Sequence, residues 1–187
     1  MSHNTVEENR RRNLFGDQTE VWLFGYGSLI YKADFPFLER RAAHIHGWER
    51  RFWQGSHDHR GTPASPGRVA TLIEVPGAEC AGMAYRVAPQ VFEHLDVREK
   101  NGYLRFTTPL DFGDAQAEGL VYIATEDNAA WLGPAPEEAI ARHVAASSGP
   151  SGSNSEYVLR LAEALRKLGQ ADPHVFAIEH HLRALDA

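Results

Sequence analysis

The chain has 187 residues, the length of one domain or of one domain with a small appendage. Its residues are 43% hydrophobic and 10% aromatic, so it can bury a substantial core, which argues against an intrinsically disordered protein. Acidic residues outnumber basic ones by 25 to 19, and the net charge of −6 argues against binding to the nucleic-acid backbone.

The segment 1–20 predicts a polar, solvated tail, which precedes a single domain formed by residues 21–187. The tail combines basic and acidic residues and lacks the apolar stretch of a signal peptide. No apolar run in the sequence approaches the ~20 residues of a membrane span. Cys80 is the only cysteine, so an intrachain disulfide is excluded. We therefore expect a cytoplasmic protein without a nucleic-acid or membrane partner.

The first half of the chain predicts β-strands. Residues 21–26 are a short apolar run that indicates a buried strand, closed by a tight turn at Gly27. Residues 42–56 mix aromatic and polar side chains and predict a long strand, bent at Gly47. The glycines and prolines of residues 57–67 predict a loop.

A hairpin and a second pair of strands are predicted next. Residues 68–74 and 79–86 are strand-like and are joined through Pro76 and Gly77, which favours a reversal of the chain. Two further strands are predicted over residues 103–110 and 118–124.

Helical patterns dominate the C-terminal part. Ser153 and Glu156 form the pattern of a capping box. Strands come first and helices last, without the regular alternation of a parallel sheet. This order predicts an α+β fold in which helices pack on a mixed, mostly antiparallel sheet that can close into a small barrel. The predicted helices cover residues 89–98, 136–146, 153–168 and 172–185.

The segment after the first predicted strand is the first candidate site. A glycine-rich turn brings backbone N–H groups together without side chains in the way, and such a concavity binds anions such as carboxylates. The pattern is not the dinucleotide fingerprint, because Ile30 stands where the third glycine is required, and it matches neither a Walker loop nor a nucleophile elbow. From spacing alone, a plain strand-ending turn is the alternative. The segment consists of Gly25, Tyr26, Gly27, Ser28, Leu29 and Ile30.

Glu99 is the second candidate. It lies where a predicted helix gives way, through Gly102, to a strand that begins with Tyr103. A carboxylate at such a junction can project into a pocket. Most acidic residues beside Arg and Lys are simply solvated, so between Arg98 and Lys100 the local pattern favours a solvated glutamate and leaves the pocket residue as the alternative.

Ten histidines raise the question of a metal site. His44 and His46 share a face of a predicted strand, and His57 and His59 follow in the next loop. No HExxH pattern or cysteine cluster completes a recognisable set of ligands, so we predict no metal site. Cys80 has no basic neighbour in sequence that would lower the pKa of its thiol, which predicts a buried core residue rather than a nucleophile.

Five segments carry a resemblance when they are taken together and in order. They are Val-Trp-Leu-Phe-Gly-Tyr-Gly-Ser-Leu-Ile at 21–30, Gly-Ser-His-Asp-His-Arg-Gly-Thr-Pro at 55–63, Pro-Gly-Arg-Val-Ala-Thr-Leu at 66–72, Arg98-Glu99 with Gly102-Tyr103, and Gly-Ser-Asn-Ser-Glu-Tyr at 152–157. Over about residues 21–181 the chain resembles the ChaC-like glutathione-specific γ-glutamylcyclotransferases. The predicted tail, 1–20, lies outside this resemblance.

The resemblance implies a mixed α/β fold around a small barrel. It also implies cleavage of glutathione to 5-oxoproline and cysteinylglycine without a metal or organic cofactor. It assigns the substrate loop to residues 25–30 and the catalytic glutamate to Glu99. Arg68 is a weaker candidate for binding a substrate carboxylate, and Tyr157 for lining the pocket.

The implied reaction is an intramolecular aminolysis, in which the α-amine of the γ-glutamyl group attacks its own side-chain carbonyl. It needs no nucleophile from the protein, but the enzyme must orient the substrate and move a proton from the amine to the leaving nitrogen. An ordinary glutamate titrates near ~4.3 and an α-amine near ~8. We therefore expect a recessed Glu99 with a raised pKa, Arg98 and Lys100 facing elsewhere, and the amides of residues 26–29 holding substrate oxygens.

Three alternatives stay open. The substrate can be another γ-glutamyl amine or peptide, because specificity lies in the shape of the pocket. The chain can bind γ-glutamyl peptides without turning them over. The third alternative is a metal-dependent hydrolase that uses the four histidines at positions 44, 46, 57 and 59.

Overall fold

A computed structural model of the chain describes residues 4–12, 16 and 18–186. Helices α1, α2, α3, α4 and α5 cover Val6–Arg11, Val91–Arg98, Glu137–Ala145, Asn154–Lys167 and Pro173–Leu185. Strands β1 to β7 cover Val21–Gly25, Glu39–Ser56, Gly67–Val87, Tyr103–Asp111, Gln116–Ala124, Ser148–Gly149 and Gly152–Ser153.

Five strands form a closed barrel in the order β1-β3-β2-β4-β5. Strand β1 pairs with β5 in parallel, and the other neighbours pair antiparallel. Helices α3, α4 and α5 pack together beside the barrel, and apolar side chains of both layers share one core. The predicted α+β class with a small, mostly antiparallel barrel is confirmed.

The two long strands β2 and β3 bend at the same place. Gly47 of β2 has a φ of +86°, and the register shifts between His46 and Trp48, so the predicted bend is confirmed. The predicted hairpin is wrong, because residues 67–87 form one strand that pairs with β2 on both sides of Pro76 and Gly77. Four residues, 75–78, lie opposite the single residue Gly47, so a bulge takes up the segment that contains Pro76 and Gly77, and the chain continues along β2 without reversing.

The caps of the C-terminal helices follow from single polar residues. The Ser153 hydroxyl accepts a hydrogen bond from the Glu156 amide at 3.1 Å, and the Asp172 carboxylate accepts one from the Val175 amide at the same distance. These bonds satisfy amides that a helix start leaves without an intrahelical partner. Within the part of the chain that the structure describes, the helices are too short or too polar to cross a membrane.

Residues 4–12 differ from the solvated tail expected at the N-terminus. Arg10 is exposed as expected, but the Asn9 side chain is fully buried against β4. The reason is that its amide group bonds the backbone of Tyr103 and Arg105. Residues 1–3, 13–15 and 17 of the predicted tail, and residue 187, lie outside the described residues, and the division of the chain at residue 20 stays a prediction.

Candidate active site

A cavity of about 420 Å³ opens where β1 ends, where α2 ends and beside the loop after β2. Residues 25–29 of the predicted substrate loop form one part of its wall, and Glu99 forms another. The two segments are distant in sequence, and the barrel brings them together because β1 and the strand after Glu99 both flank β5. Tyr157 also lines the cavity.

Glu99 is the residue that ends helix α2. Its φ of −98° and ψ of 21° leave the helical region, although its amide still donates to the Leu95 carbonyl at 2.8 Å. Gly102 then turns the chain into β4 with a φ of +96°, and a Cβ atom there would lie 2.6 Å from Asn128 Oδ1. The turn therefore requires glycine, and it leaves the Glu99 side chain recessed, with 18% of its surface exposed.

Burial raises the pKa of Glu99. The positive charges of Arg98 and His59 oppose this effect, and the carboxylates of Asp58 and Asp34 add to it. Among the described residues the Glu99 carboxylate accepts no hydrogen bond, and its ion-pair contact is Arg98 Nε at 3.7 Å. A carboxylate in this setting is protonated more readily than an exposed one and is free to meet a substrate proton.

The expectation that Arg98 faces away from Glu99 is wrong. Because Glu99 has left the helical geometry, the divergence of helical neighbours does not apply, and the Arg98 guanidinium turns toward the cavity. Arg98 Nη2 donates to Ser28 Oγ at 2.9 Å, and Nη1 donates to Asp34 Oδ1 at 2.5 Å. Arg98 thus connects the predicted substrate loop to the turn that carries Glu99.

The loop after β1 offers free backbone donors. The segment Ser28–Ile30 is one turn of 3₁₀ helix, in which the Ile30 amide donates to the Gly27 carbonyl. The amides of Gly27, Ser28 and Leu29 find no acceptor within the described ranges. A Cβ atom at Gly27 would lie 2.6 Å from the Tyr157 hydroxyl, so only glycine fits there. Free amides on consecutive residues of a cavity wall suit a carboxylate or a developing oxyanion.

Buried tyrosines form the inner wall of the cavity. The Tyr26 hydroxyl donates to the Tyr122 carbonyl at 2.5 Å, and the Tyr103 hydroxyl donates to the Ala70 carbonyl at 2.8 Å. The Tyr157 hydroxyl accepts from the Ala70 amide at 3.3 Å. Burial raises the pKa of Tyr26, Tyr103 and Tyr157, so all three hydroxyls are neutral at physiological pH. They therefore shape the pocket without carrying charge.

Arg60 and His59 line the cavity and are absent from the catalytic and substrate-binding residues predicted from the sequence. Arg60 is buried, donates to the Ser153 carbonyl at 3.0 Å and lies over the Tyr157 ring. His59 contacts the Arg98 carbonyl at 2.9 Å through Nε2. Both belong to the segment 55–63 that carries the family resemblance, which is the signal that could have identified them.

Two predicted substrate-binding residues do not reach the cavity wall. Ile30 is buried in the core. The Arg68 guanidinium donates to the carbonyls of Phe52 and Gly133, at 2.9 and 2.8 Å, and is thereby held within the protein interior.

The four histidines considered as metal ligands make separate contacts. His44 contacts Gln170, His46 contacts Asp111, His57 contacts Asn101, and His59 contacts Ser151 and the Arg98 carbonyl. No group of three or more potential metal ligands is found in the described part of the chain. Cys80 is buried, as predicted, and burial raises the pKa of its thiol although Arg50 lies 3.3 Å from the sulfur.

Comparisons with known proteins agree with this geometry. The family model described as "ChaC-like protein" matches residues 21–185. A zebrafish protein named glutathione-specific gamma-glutamylcyclotransferase 1 is 42% identical, over 92% of this chain and 94% of its own length. The human protein of that name is 44% identical, over 87% of this chain and 78% of its own length.

A solved structure extends the likeness to three dimensions. The crystal structure of a yeast γ-glutamyl cyclotransferase specific to glutathione aligns with a TM-score of 0.83 at 33% identity, covering 89% of this chain and 97% of that one. The family model covers most of the chain, and the zebrafish and human relatives match nearly its whole length. The chain therefore belongs to the ChaC-like protein family.

Proposed function

We propose that the chain is a glutathione-specific γ-glutamylcyclotransferase, an enzyme that converts glutathione to 5-oxoproline and cysteinylglycine. The observation that carries the proposal is a recessed glutamate with a raised pKa, which lines the same cavity as three residues whose backbone amides have no acceptor among the described residues. The names of the zebrafish, human and yeast relatives support the choice of substrate.

Glu99 is the acid–base group of the proposed mechanism. The α-amine nitrogen of the γ-glutamyl group attacks the γ-carbonyl carbon, and Glu99 takes a proton from that nitrogen. The bond between the carbonyl carbon and the cysteine nitrogen then breaks, and Glu99 returns the proton to the leaving nitrogen. One carboxylate thus serves both steps, and the proton count balances.

The raised pKa of Glu99 favours the first step. Proton transfer from an amine with a pKa near ~8 to a glutamate with a pKa near ~4.3 is unfavourable. The raised pKa of Glu99 reduces this difference between the two pKa values. The free amides of Gly27, Ser28 and Leu29 would bind the substrate α-carboxylate or the oxyanion that forms on the γ-carbonyl. Arg98 holds Ser28 and borders Glu99, so it would keep the binding and acid–base groups in a fixed relation.

We further propose a cytoplasmic enzyme that acts on this small molecule without a cofactor. A single cysteine and an acidic composition support the location and argue against a nucleic-acid partner. Ring closure within the substrate requires no added electrophile or redox group, which is why the proposed chemistry rests on protein groups alone.

Incubation of the purified protein with glutathione is the direct test. We expect equimolar 5-oxoproline and cysteinylglycine, unchanged by exhaustive chelation, and much slower turnover of γ-glutamyl-alanine. Comparable rates on both substrates would indicate a broader cyclotransferase. Calorimetric binding of glutathione without 5-oxoproline would indicate a binding protein, and loss of activity on chelation would indicate a metal-dependent hydrolase.

Gly27→Ala should lower turnover by at least about 10-fold. The added Cβ would lie 2.6 Å from the Tyr157 hydroxyl, so the loop with its amides or the Tyr157 side chain that lines the cavity must shift, and a displaced oxyanion donor typically costs about 10²–10³-fold in kcat. The matched control is Gly77→Ala, where the new Cβ meets nothing within 4 Å and only the positive φ is strained. Steady-state kinetics of both variants would contradict the role of the loop if Gly27→Ala matched the wild type.

A further inference from the structure

We propose that Asn4, Thr5 and Asn9, in the segment 4–12, position the active site by holding the turn that carries Glu99, with Asn9 as the central residue. This inference rests on the function proposed above. It concerns a segment that lies outside the family model, which begins at residue 21. The segment reaches no substrate itself, because none of its residues lines the cavity.

Asn9 acts as a substitute for a missing strand neighbour. Its side chain is 0% exposed, its Nδ2 donates to the Tyr103 carbonyl at 3.0 Å, and its Oδ1 accepts from the Arg105 amide at 2.9 Å. A carbonyl and an amide two residues apart on one strand edge are the groups that a neighbouring strand would bond. Strand β2 pairs with β4 at Asp111, the far end of β4, so the edge at the start of β4 is open to Asn9.

Thr5 holds the other side of the same turn. Its amide donates to the Lys100 carbonyl at 3.0 Å, and its hydroxyl donates to that carbonyl at 3.2 Å and lies 3.5 Å from the Glu99 carbonyl. A β-bridge between Asn4 and Asn101 adds to these contacts. The segment therefore bonds the backbone both before and after Gly102.

These bonds affect the position of the Glu99 carboxylate, because Gly102 is the residue at which the turn changes conformation most easily. Without the bonds on either side of it, the turn keeps the Glu99 amide bond to Leu95, the Asn101 side-chain bond to Gly55 and the Gln54 bond to the Asn101 carbonyl at 2.9 Å. We expect it to sample positions in which the carboxylate is more solvated. Solvation lowers the pKa of a buried glutamate and weakens it as a base. The groups that face Glu99 are Arg98, His59, Asp58, Asp34, Tyr26, Tyr103 and Tyr157.

The test is Asn9→Ala in the full chain, with glutathione as substrate. We expect kcat to fall by about 10- to 100-fold, since misplacement of a catalytic group by ~1 Å can cost about 10²-fold, while KM stays within about twofold. The acid limb of the kcat profile should move to lower pH. Arg10→Ala is the control, because Arg10 is exposed and pairs with Glu7 of its own helix.

If Asn9 only stabilises the fold, the expected result is different. In that case kcat falls only with the folded fraction and the pH profile does not move, and this result would overturn the proposal. If Asn9→Ala does not fold, Thr5→Val removes the hydroxyl bonds alone and should give a smaller change of the same kind, whereas wild-type kinetics would count against the inference.

Hydrogen exchange separates this inference from the proposed function. We expect faster amide exchange over residues 99–105 in Asn9→Ala, with exchange elsewhere unchanged. If the wild-type protein does not turn over glutathione, the proposed function fails, while local exchange confined to this turn still supports the positioning role. Unchanged exchange in the turn would refute that role whatever the activity.

Discussion

Glu99→Gln is expected to fold like the wild type and to turn over glutathione between about 100-fold and about 10,000-fold more slowly. Glutamine keeps the size and planarity of the side chain but cannot accept the proton of the attacking amine. The loss should fall on kcat, because the proposed binding groups at residues 27–29 are untouched. The readouts are cysteinylglycine release and calorimetric binding of glutathione, with Kd changed by only a few fold.

The pH dependence of wild-type turnover is a second test of the role of Glu99. Burial raises the pKa of Glu99, and only its ionised form is a base. The rate should therefore fall as the pH drops through this raised pKa, at a higher pH than for an exposed glutamate. The residual activity of Glu99→Gln should lack this acid limb, which a kcat profile of the two proteins would reveal.

Glu93→Gln is the matched control for this experiment. Glu93 lies on the exposed side of the same helix and does not line the cavity, so the same chemical change should leave kcat and KM at wild-type values. Release of cysteinylglycine by Glu99→Gln at the wild-type rate would remove the proposed mechanism. Loss of glutathione binding would instead assign Glu99 to substrate binding.

Local patterns in the sequence predict most of the secondary structure of this protein. Apolar runs and caps identify the strands and helices, since these signals act within a few residues of the chain. The hairpin at Pro76 and Gly77 fails for a physical reason. Both residues disrupt a regular strand, but whether the chain reverses or bulges depends on the partner strand, here bent at Gly47. That information is not local.

The active site also has parts that local sequence patterns predict and parts that they do not. The glycine turn and Glu99 can be picked out as candidates because each has a recognisable chain context. The orientation of the arginines cannot be predicted in this way. Arg60, Arg68 and Arg98 are all buried or half-buried, and they differ in which distant carbonyl or carboxylate accepts their hydrogen bonds. Asn9 escapes prediction for the same reason, since its partners lie 94 and 96 residues further along the chain.

Helix α2 is attached to the barrel by a buried ion pair. Asp96 and Arg105 form two hydrogen bonds, one of them from Arg105 Nε at 2.9 Å, and the Tyr122 hydroxyl donates to Asp96 at 2.7 Å. The side chains of Asp96 and Arg105 are 2% and 5% exposed. Because α2 ends beside Glu99, this network fixes the part of the chain that carries the proposed catalytic group.

Asp96→Ala should lower the free energy of unfolding by about 3–5 kcal/mol, the usual cost of removing one partner of a buried ion pair. Arg105 loses its bidentate carboxylate and Tyr122 loses its acceptor, and neither group is in contact with bulk water. Urea unfolding followed by tryptophan fluorescence measures the effect as a lower midpoint at an unchanged slope. Turnover of glutathione should fall as well, since the end of α2 is less firmly held.

The control is Glu163→Ala, which breaks the surface ion pair between Glu163 and Lys167. The side chains of Glu163 and Lys167 are 66% and 76% exposed. This substitution should cost less than about 1 kcal/mol, because water replaces the lost partner. Replacing both buried residues, as Asp96→Leu with Arg105→Met, should recover part of the stability by leaving no buried charge. If Asp96→Ala and Glu163→Ala unfold at the same urea midpoint, the buried pair does not anchor α2. The rigid placement of Glu99 would then need another cause.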